Sequence, residues 1–316
     1  MPNTSRSRVR PFAPLALAVW IPLAPMQVAR QEVAVAEAGG KVYVIGGIAG
    51  GETVATVEQY DPATDSWRFV APLPRPLHHP AAASTGGAIY VIGGYGDLTF
   101  TAIADVYRYD VAGNSWTSVA GLPSPRAAMA AAAIDGRVYA VGGVPGGRDL
   151  LVYDPTTQNW KGLTPMPTGR EHLAAVGFGG RLYAVSGRFG ANLGAFESYD
   201  PAADRWESLP PIPTPRSGIA AAVAGGRLYV FGGEGNAASP FGVFNENESY
   251  DFAARTWRME LPMPTPRHGL GAAAVVVDAR SRIILPGGAP VQGFGITAVN
   301  EAFVPDAGVR RRSVRH

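Results

Sequence analysis

Five stretches of this chain repeat one pattern: GGKVYVIGG from Gly39, GGAIYVIGG from Gly86, DGRVYAVGG from Asp135, GGRLYAVSG from Gly179 and GGRLYVFGG from Gly225. A weaker sixth copy, ARSRIILPGG, starts at Ala279. Downstream of the first five stands a Tyr-Asp pair (Tyr60, Tyr109, Tyr153, Tyr199, Tyr250), and a tryptophan follows each tyrosine by seven residues: Trp67, Trp116, Trp160, Trp206 and Trp257. Self-similarity at a fixed period constrains a fold more than any local propensity, because each unit must bury its apolar faces against its neighbours. Each unit reads as a meander of short strands. An alanine-rich strand comes first (Ala81 to Ala83, Ala130 to Ala133, Ala220 to Ala222, Ala272 to Ala274), and only small side chains fit a crowded axis. The next strand, as in RLYVFGG, is apolar on both faces, as a sheet covered on both sides requires. Paired GG or DG marks a tight hairpin, and YDPATDSW or YDPTTQNW places Asp-Pro in a turn between the outer strands.

A closing diglycine followed by Tyr-Asp and a spaced Trp resembles the Kelch repeat, and the resemblance runs from about residue 16 to 305. It implies an all-β chain, a six-bladed β-propeller of four-stranded antiparallel blades. The sixth copy runs out after NEAFVP with no Trp of its own. The missing piece is at the other end. Trp116, Trp160, Trp206 and Trp257 are each followed ten residues later by an arginine (Arg126, Arg170, Arg216, Arg267), and Trp20 is followed in the same way by Arg30. WIPLAPMQVARQEVAVAEAGG overlays WESLPPIPTPRSGIAAAVAGG without a gap. The expected organisation is therefore a basic, disordered stretch over 1–13, a single propeller over 14–305 whose last blade is closed by residues 14–24 as outer strand, and a basic disordered tail over 306–316. The competing reading of Arg6, Arg8, Arg10 and the apolar run to Ala24 as an export signal meets four prolines and no clean small-x-small site. The compartment is left open: cytoplasmic by default, secreted or periplasmic if that stretch is a signal.

Charge narrows the partners. Seven arginines lie in the first ten and last nine residues, which hold no acidic residue, so the body carries a net charge of about −5 against +2 for the whole chain. A nucleic-acid groove on the folded body is not expected, nothing after residue 30 approaches the length of a membrane span, and a monomer is expected. Glycine (40) and proline (28) make up about a fifth of the chain, which suits many short elements joined by turns. Cysteine is absent, so thiolate metal sites and cysteine nucleophiles are excluded.

In a four-stranded meander the loop before the inner strand and the loop after the diglycine share one rim. The post-diglycine loops vary from VPGGRDL to EGNAASPFGVFNEN, and variable loops on a repeated scaffold are where recognition is expected. The candidate ligand-binding set comprises Arg30, Arg126, Arg170, Arg216 and Arg267, with Leu77 in the sixth slot; His78, His79, His172, Ser217 and His268 beside those slots; and Tyr95, Arg148, Arg188, Phe189, Glu234 and Asn236 after the diglycines. Two readings of the arginines stand. A ring of guanidiniums would hold a carboxylate or an acidic peptide. Alternatively the arginines pair within the scaffold with Glu58, Glu197, Glu248 and Glu301, which recur two positions before the third-strand aromatic; Leu77 meets Tyr107 there, and Arg126 meets Leu151 and breaks the pattern.

The resemblance implies a binding module for a protein or a small anionic ligand, since Kelch adaptors take acidic peptides at these loops. It also covers enzymes. Copper radical oxidases resembling galactose oxidase need a cysteine that this chain lacks; sialic acid epimerases remain an alternative, with Glu171, His172 and Glu234 as acid or base. No metal-ligand spacing and no phosphate-binding or nucleophile motif is present, so no metal and no cofactor are expected.

Overall fold

Every hairpin signal in the repeat becomes a hairpin. The computed structural model describes residues 18–305, and its strands assemble into six four-stranded antiparallel blades. Blade 1 runs outward from Ala34–Ala38 through Lys41–Ile45 and Val57–Asp61 to Ser66–Phe69. Blades 2 to 5 repeat it from inner strands Ala81–Thr85, Ala130–Ile134, Ala174–Phe178 and Ala220–Ala224. Blade 6 takes Ala273–Val277, Arg280–Pro286 and Asn300–Val304 from the C-terminal end, and its outer strand is Val19–Pro22. Trp20 is in register with Phe303. The expected outer strand over 14–24 is thus met at its core, while residues 14–17, the basic N-terminus and the tail from 306 lie outside the described residues. Among the described residues no helix is long and apolar enough to cross a membrane.

All six tryptophans perform one task. Trp67, Trp116, Trp160, Trp206 and Trp257 each donate the indole N–H to a backbone carbonyl of the preceding blade at 2.8–2.9 Å, and Trp20 does the same to Leu261 O at 3.1 Å. Each ring also packs on the third-strand aromatic of its own blade, with Phe303 replacing tyrosine opposite Trp20. The N-terminal strand therefore reproduces the interblade contact as well as the ladder, and it covers what would be an open sheet edge.

Two closed circuits of backbone hydrogen bonds tie the blades together near the axis. In the first, the second glycine of each diglycine position donates to the carbonyl of the slot residue in the next blade: Gly47 to Leu77, Gly94 to Arg126, Gly143 to Arg170, Gly187 to Arg216, Gly233 to Arg267 and Gly288 to Arg30. This close approach explains the preceding glycine. A Cβ on Gly232, at φ 60°, would lie 2.3 Å from Arg267 O. Blade 4 replaces that glycine with Ser186, whose hydroxyl donates to Arg216 O at 2.6 Å. In the second circuit, the residue two after each slot donates its N–H to its counterpart one blade back: Glu32 to Gly269, His79 to Glu32, Ala128 to His79, His172 to Ala128, Gly218 to His172 and Gly269 to Gly218. All six residues have φ between 50° and 63°.

Candidate functional site

The second circuit forms the floor of the propeller mouth. Four of its six members carry a Cβ in the left-handed region, where non-glycine residues are uncommon. Three of these bring ionisable groups to the axis: Glu32, His79 and His172. Around them the two loop sets meet as the meander requires, bridged in every blade: Gln31 with Ile48, His78 with Tyr95, Ala127 with Val144, Glu171 with Arg188, Ser217 with Glu234 and His268 with Ala289. The result is a pit of about 280 Å³ lined by Gln31, Glu32, His79, His172, Arg188, Glu234 and His268, with Phe100 and Phe294 on its upper wall. On the opposite face, a funnel of about 300 Å³ is lined largely by alanines of the inner strands and offers little chemistry.

Inside the pit, charged groups are coupled. Arg188 reaches Glu171 Oε1 at 2.5 Å and also pairs with Glu234, and its Nη2 lies 3.3 Å from both ring nitrogens of His172. His172 Nδ1 contacts Glu171. His79 Nε2 stands 3.1 Å from Glu32 Oε2, and His268 Nδ1 lies 3.5 Å from Glu32 Oε1 and 3.6 Å from Glu234 Oε2. Burial pushes His79 down to about 4 and His172 well below the usual imidazole value. For His268 burial acts in the same direction, but Glu32 and Glu234 outweigh it and raise its pKa.

The slot arginines face the blades instead of the mouth. Arg30, Arg170, Arg216 and Arg267 are fully buried and Arg126 nearly so. Arg30 pairs with Glu58 at 2.8 Å, Arg170 with Glu197 at 2.6 Å, Arg267 with Glu301 at 3.0 Å, and Arg216 with Glu248. Further N–H groups donate to backbone carbonyls, as Arg216 does to Gly232 and Val230, whereas Nε of Arg30, Arg126, Arg170 and Arg267 is buried without a hydrogen-bond partner. Arg126, left without a glutamate by Leu151, pairs with Asp149 two residues earlier, a partner that counting back from the aromatic does not find. This placement corrects the expectation of an arginine-lined mouth: desolvated guanidiniums with carboxylate partners are part of the blade interior.

The other predicted residues divide into floor, wall and rim. His78 and Tyr95 are buried beneath the wall, ring to ring at 5.2 Å. Ser217 is buried, and Asn236 braces its own loop through Val243 O at 3.2 Å. Arg148 donates to Met166 O at 2.9 Å and does not line the pit. Phe189 is 73% exposed. The sequence reading missed Glu32, Gln31, Phe100 and Phe294. Glu32 occupies the same position relative to Arg30 that His172 occupies relative to Arg170, and that position was the available signal.

Rim apolarity is concentrated on the post-diglycine loops. Phe100, Phe189, Phe241 and Phe294 stand exposed on blades 2, 4, 5 and 6, with Leu98, Val291 and Ile296 beside them. The loops also brace each other, through Asn192 Nδ2 to Glu234 O and Gln292 N to Phe241 O.

Comparison with known proteins agrees with this architecture. The KLHDC2/KLHL20/DRC7 Kelch-repeats domain matches residues 22–143, and the Kelch motif matches residues 125–167 and 169–213. The chain is a Kelch-repeat protein folded as a six-bladed β-propeller. Among curated relatives, the Kelch-like protein terF of Aspergillus terreus is 40% identical over 80 residues, 24% of this chain and 17% of that one. The influenza virus NS1A-binding protein homolog of Mus musculus is 48% identical over 52 residues, 16% of this chain and 8% of that one. The chain thus spans less than a fifth of the length of these relatives. The solved structure of YjhT superposes with a TM-score of 0.73 at 18% identity, over 88% of this chain and 95% of that one, and shares the fold.

Proposed function

We propose that this propeller is a binding module that receives a partner protein or small ligand at its mouth, apolar groups packing on the rim phenylalanines and a polar group entering the pit. The observation that carries this reading is the ring of exposed phenylalanines on four variable loops around an enclosed cluster of ionisable side chains. Exposed apolar surface bordering a polar centre is characteristic of an interaction site and costly to keep otherwise. Kelch propellers typically act in protein interaction, which supports the same reading. The carboxylate–imidazole pairs would also suit acid–base work on a sugar acid, the alternative left open by the sequence. However, among the described residues Arg188 is the one guanidinium lining the pit, and Glu171 and Glu234 already hold it.

The test is to select peptides from a displayed library on the full chain and measure their affinity for variants. Phe189→Ser with Phe294→Ser is expected to weaken binding at least roughly tenfold, as loss of anchoring aromatics does. Phe69→Ser with Met259→Ser, on outer strands with 55% and 59% exposure, is expected to leave it unchanged. Binding that survives the first pair and falls with the second places the site elsewhere.

A further inference from the structure

We infer that the floor of the mouth is a binding site for a divalent first-row transition-metal ion, held by Glu32, His79 and His172. Each of these residues brings a ligand atom within 4.8 Å of those of the other two. Ligand atoms sharing one zinc ion at about 2.0–2.1 Å stand roughly 3.3 Å apart, so a modest inward rotation closes the set. Glu32 and His79 already have that spacing, at 3.1 Å.

Hydrogen bonding points to the cation independently. His78 Nε2 lies 2.8 Å from Asp97 O, and a carbonyl only accepts, so that nitrogen carries the proton. With both rings neutral, His78 Nδ1 then accepts from His79 Nδ1–H at 2.6 Å. The free nitrogen of His79 is therefore Nε2, and its lone pair is directed at a carboxylate oxygen of Glu32. An imidazole nitrogen and a carboxylate oxygen at 3.1 Å need a proton or a metal ion between them, and the ion takes the proton's place here. At His172, Glu171 engages Nδ1, the carboxylate–histidine pairing that orients imidazoles toward metals, while Arg188 Nη2, 3.3 Å from both ring nitrogens, has to withdraw from Nε2 for the ion to bind. His268 stands outside this ligand set, as an ion-pair partner of Glu32 and Glu234. Its Nε2 donates to Val291 O at 3.0 Å, leaving Nδ1, buried and without a hydrogen-bond partner, beside Glu32 and Glu234.

Charge favours the same occupant. Glu32 and Glu234 line the pit and Glu171 pairs with Arg188 from beside it, so three carboxylates stand against one guanidinium and His268, and a divalent ion suits that surplus of carboxylate. Two imidazoles and one carboxylate suit zinc, cobalt or iron(II) better than magnesium or calcium, which prefer oxygen ligands throughout. An ion there would also supply the exposed cation that the buried arginines do not, leaving a coordination position open to a carboxylate of whatever enters the mouth.

The full-length, tag-free protein, stripped with a chelator, is titrated with Zn²⁺ and Co²⁺. One ion per chain is expected, with the visible absorption of a low-coordinate cobalt site, and neither Mg²⁺ nor Ca²⁺ should displace it. Glu32→Gln, His79→Asn and His172→Asn should weaken binding by at least roughly tenfold; asparagine is chosen because it tolerates the left-handed backbone these histidines adopt. Should those variants fail to fold, nitrogen-15 NMR of the wild-type imidazoles decides: Zn²⁺ must shift His79 Nε2. No stoichiometric binding, or binding that leaves His79 and His172 unmoved, overturns the site. The Phe69→Ser, Met259→Ser protein, altered on the outer strands, should bind the ion normally, and because ion binding is read without any peptide, its outcome is separable from that of the rim.

Discussion

A chain lacking residues 1–25 is expected to aggregate, eluting from size exclusion as large species and melting well below the full-length protein. The deletion removes the strand Val19–Pro22 and exposes the edge of Asn300–Val304, a ready template for pairing with another chain. It also removes the Trp20 ring from Phe303 and Phe231, at 5.2 and 5.9 Å. Loss of a large packed aromatic alone costs on the order of 3–5 kcal/mol, and Trp20→Ala should approach the lower end of that range because the indole is only half-buried. Damage extends to blade 1, since Ala24 O accepts from Trp67 at 2.8 Å and Ala24 N donates to Asp65 at 2.8 Å. Processing after Ala24 or Ala29 would have the same effect. A truncated protein as stable as the full chain would refute closure by the N-terminal strand.

Arg216→Met is expected to destabilise the protein by about 3–5 kcal/mol in denaturant titration, because Glu248 is left as an unpaired charge at zero exposure. Combining it with Glu248→Leu should recover much of the loss, since a buried ion pair replaced by apolar side chains of similar size is often near neutral. Arg148→Ser, at the rim, should change stability by less than about 0.5 kcal/mol. If instead Arg216→Met left stability intact and abolished ligand binding, the slot arginines would belong to the mouth after all.

The contrast between these arginines and the pit shows what a single sequence displays. Spacing placed Trp20 and Arg30 in register with four other Trp-to-Arg pairs, because a repeat writes its geometry as period. It did not tell which way an arginine points: a guanidinium aimed at a ligand and one aimed at a buried glutamate have the same spacing. The Asp149 partner of Arg126 escaped for a related reason, as a side chain two residues away reached the same place. The floor was least legible. Glu32, His79 and His172 are separated by 47 and 93 residues in the sequence and become neighbours only when six equivalent positions close a ring. His79 and His172 stood out as variable positions beside the slots. Glu32 holds the equivalent position two residues after Arg30, and only the closed ring shows that it meets the two histidines. Rim aromatics were hidden in loops whose lengths signalled variability without showing which side chains remain uncovered.

The central claim, that recognition takes place at this mouth, is tested most directly by hydrogen–deuterium exchange of the full chain with and without a peptide selected for binding. Protection is predicted in the post-diglycine loops, at 95–102, 188–192, 234–243 and 289–297, with the hairpin turns of the opposite face, at 135–136, 179–180 and 225–226, unchanged. Protection of those turns with the four loops unaffected would contradict it.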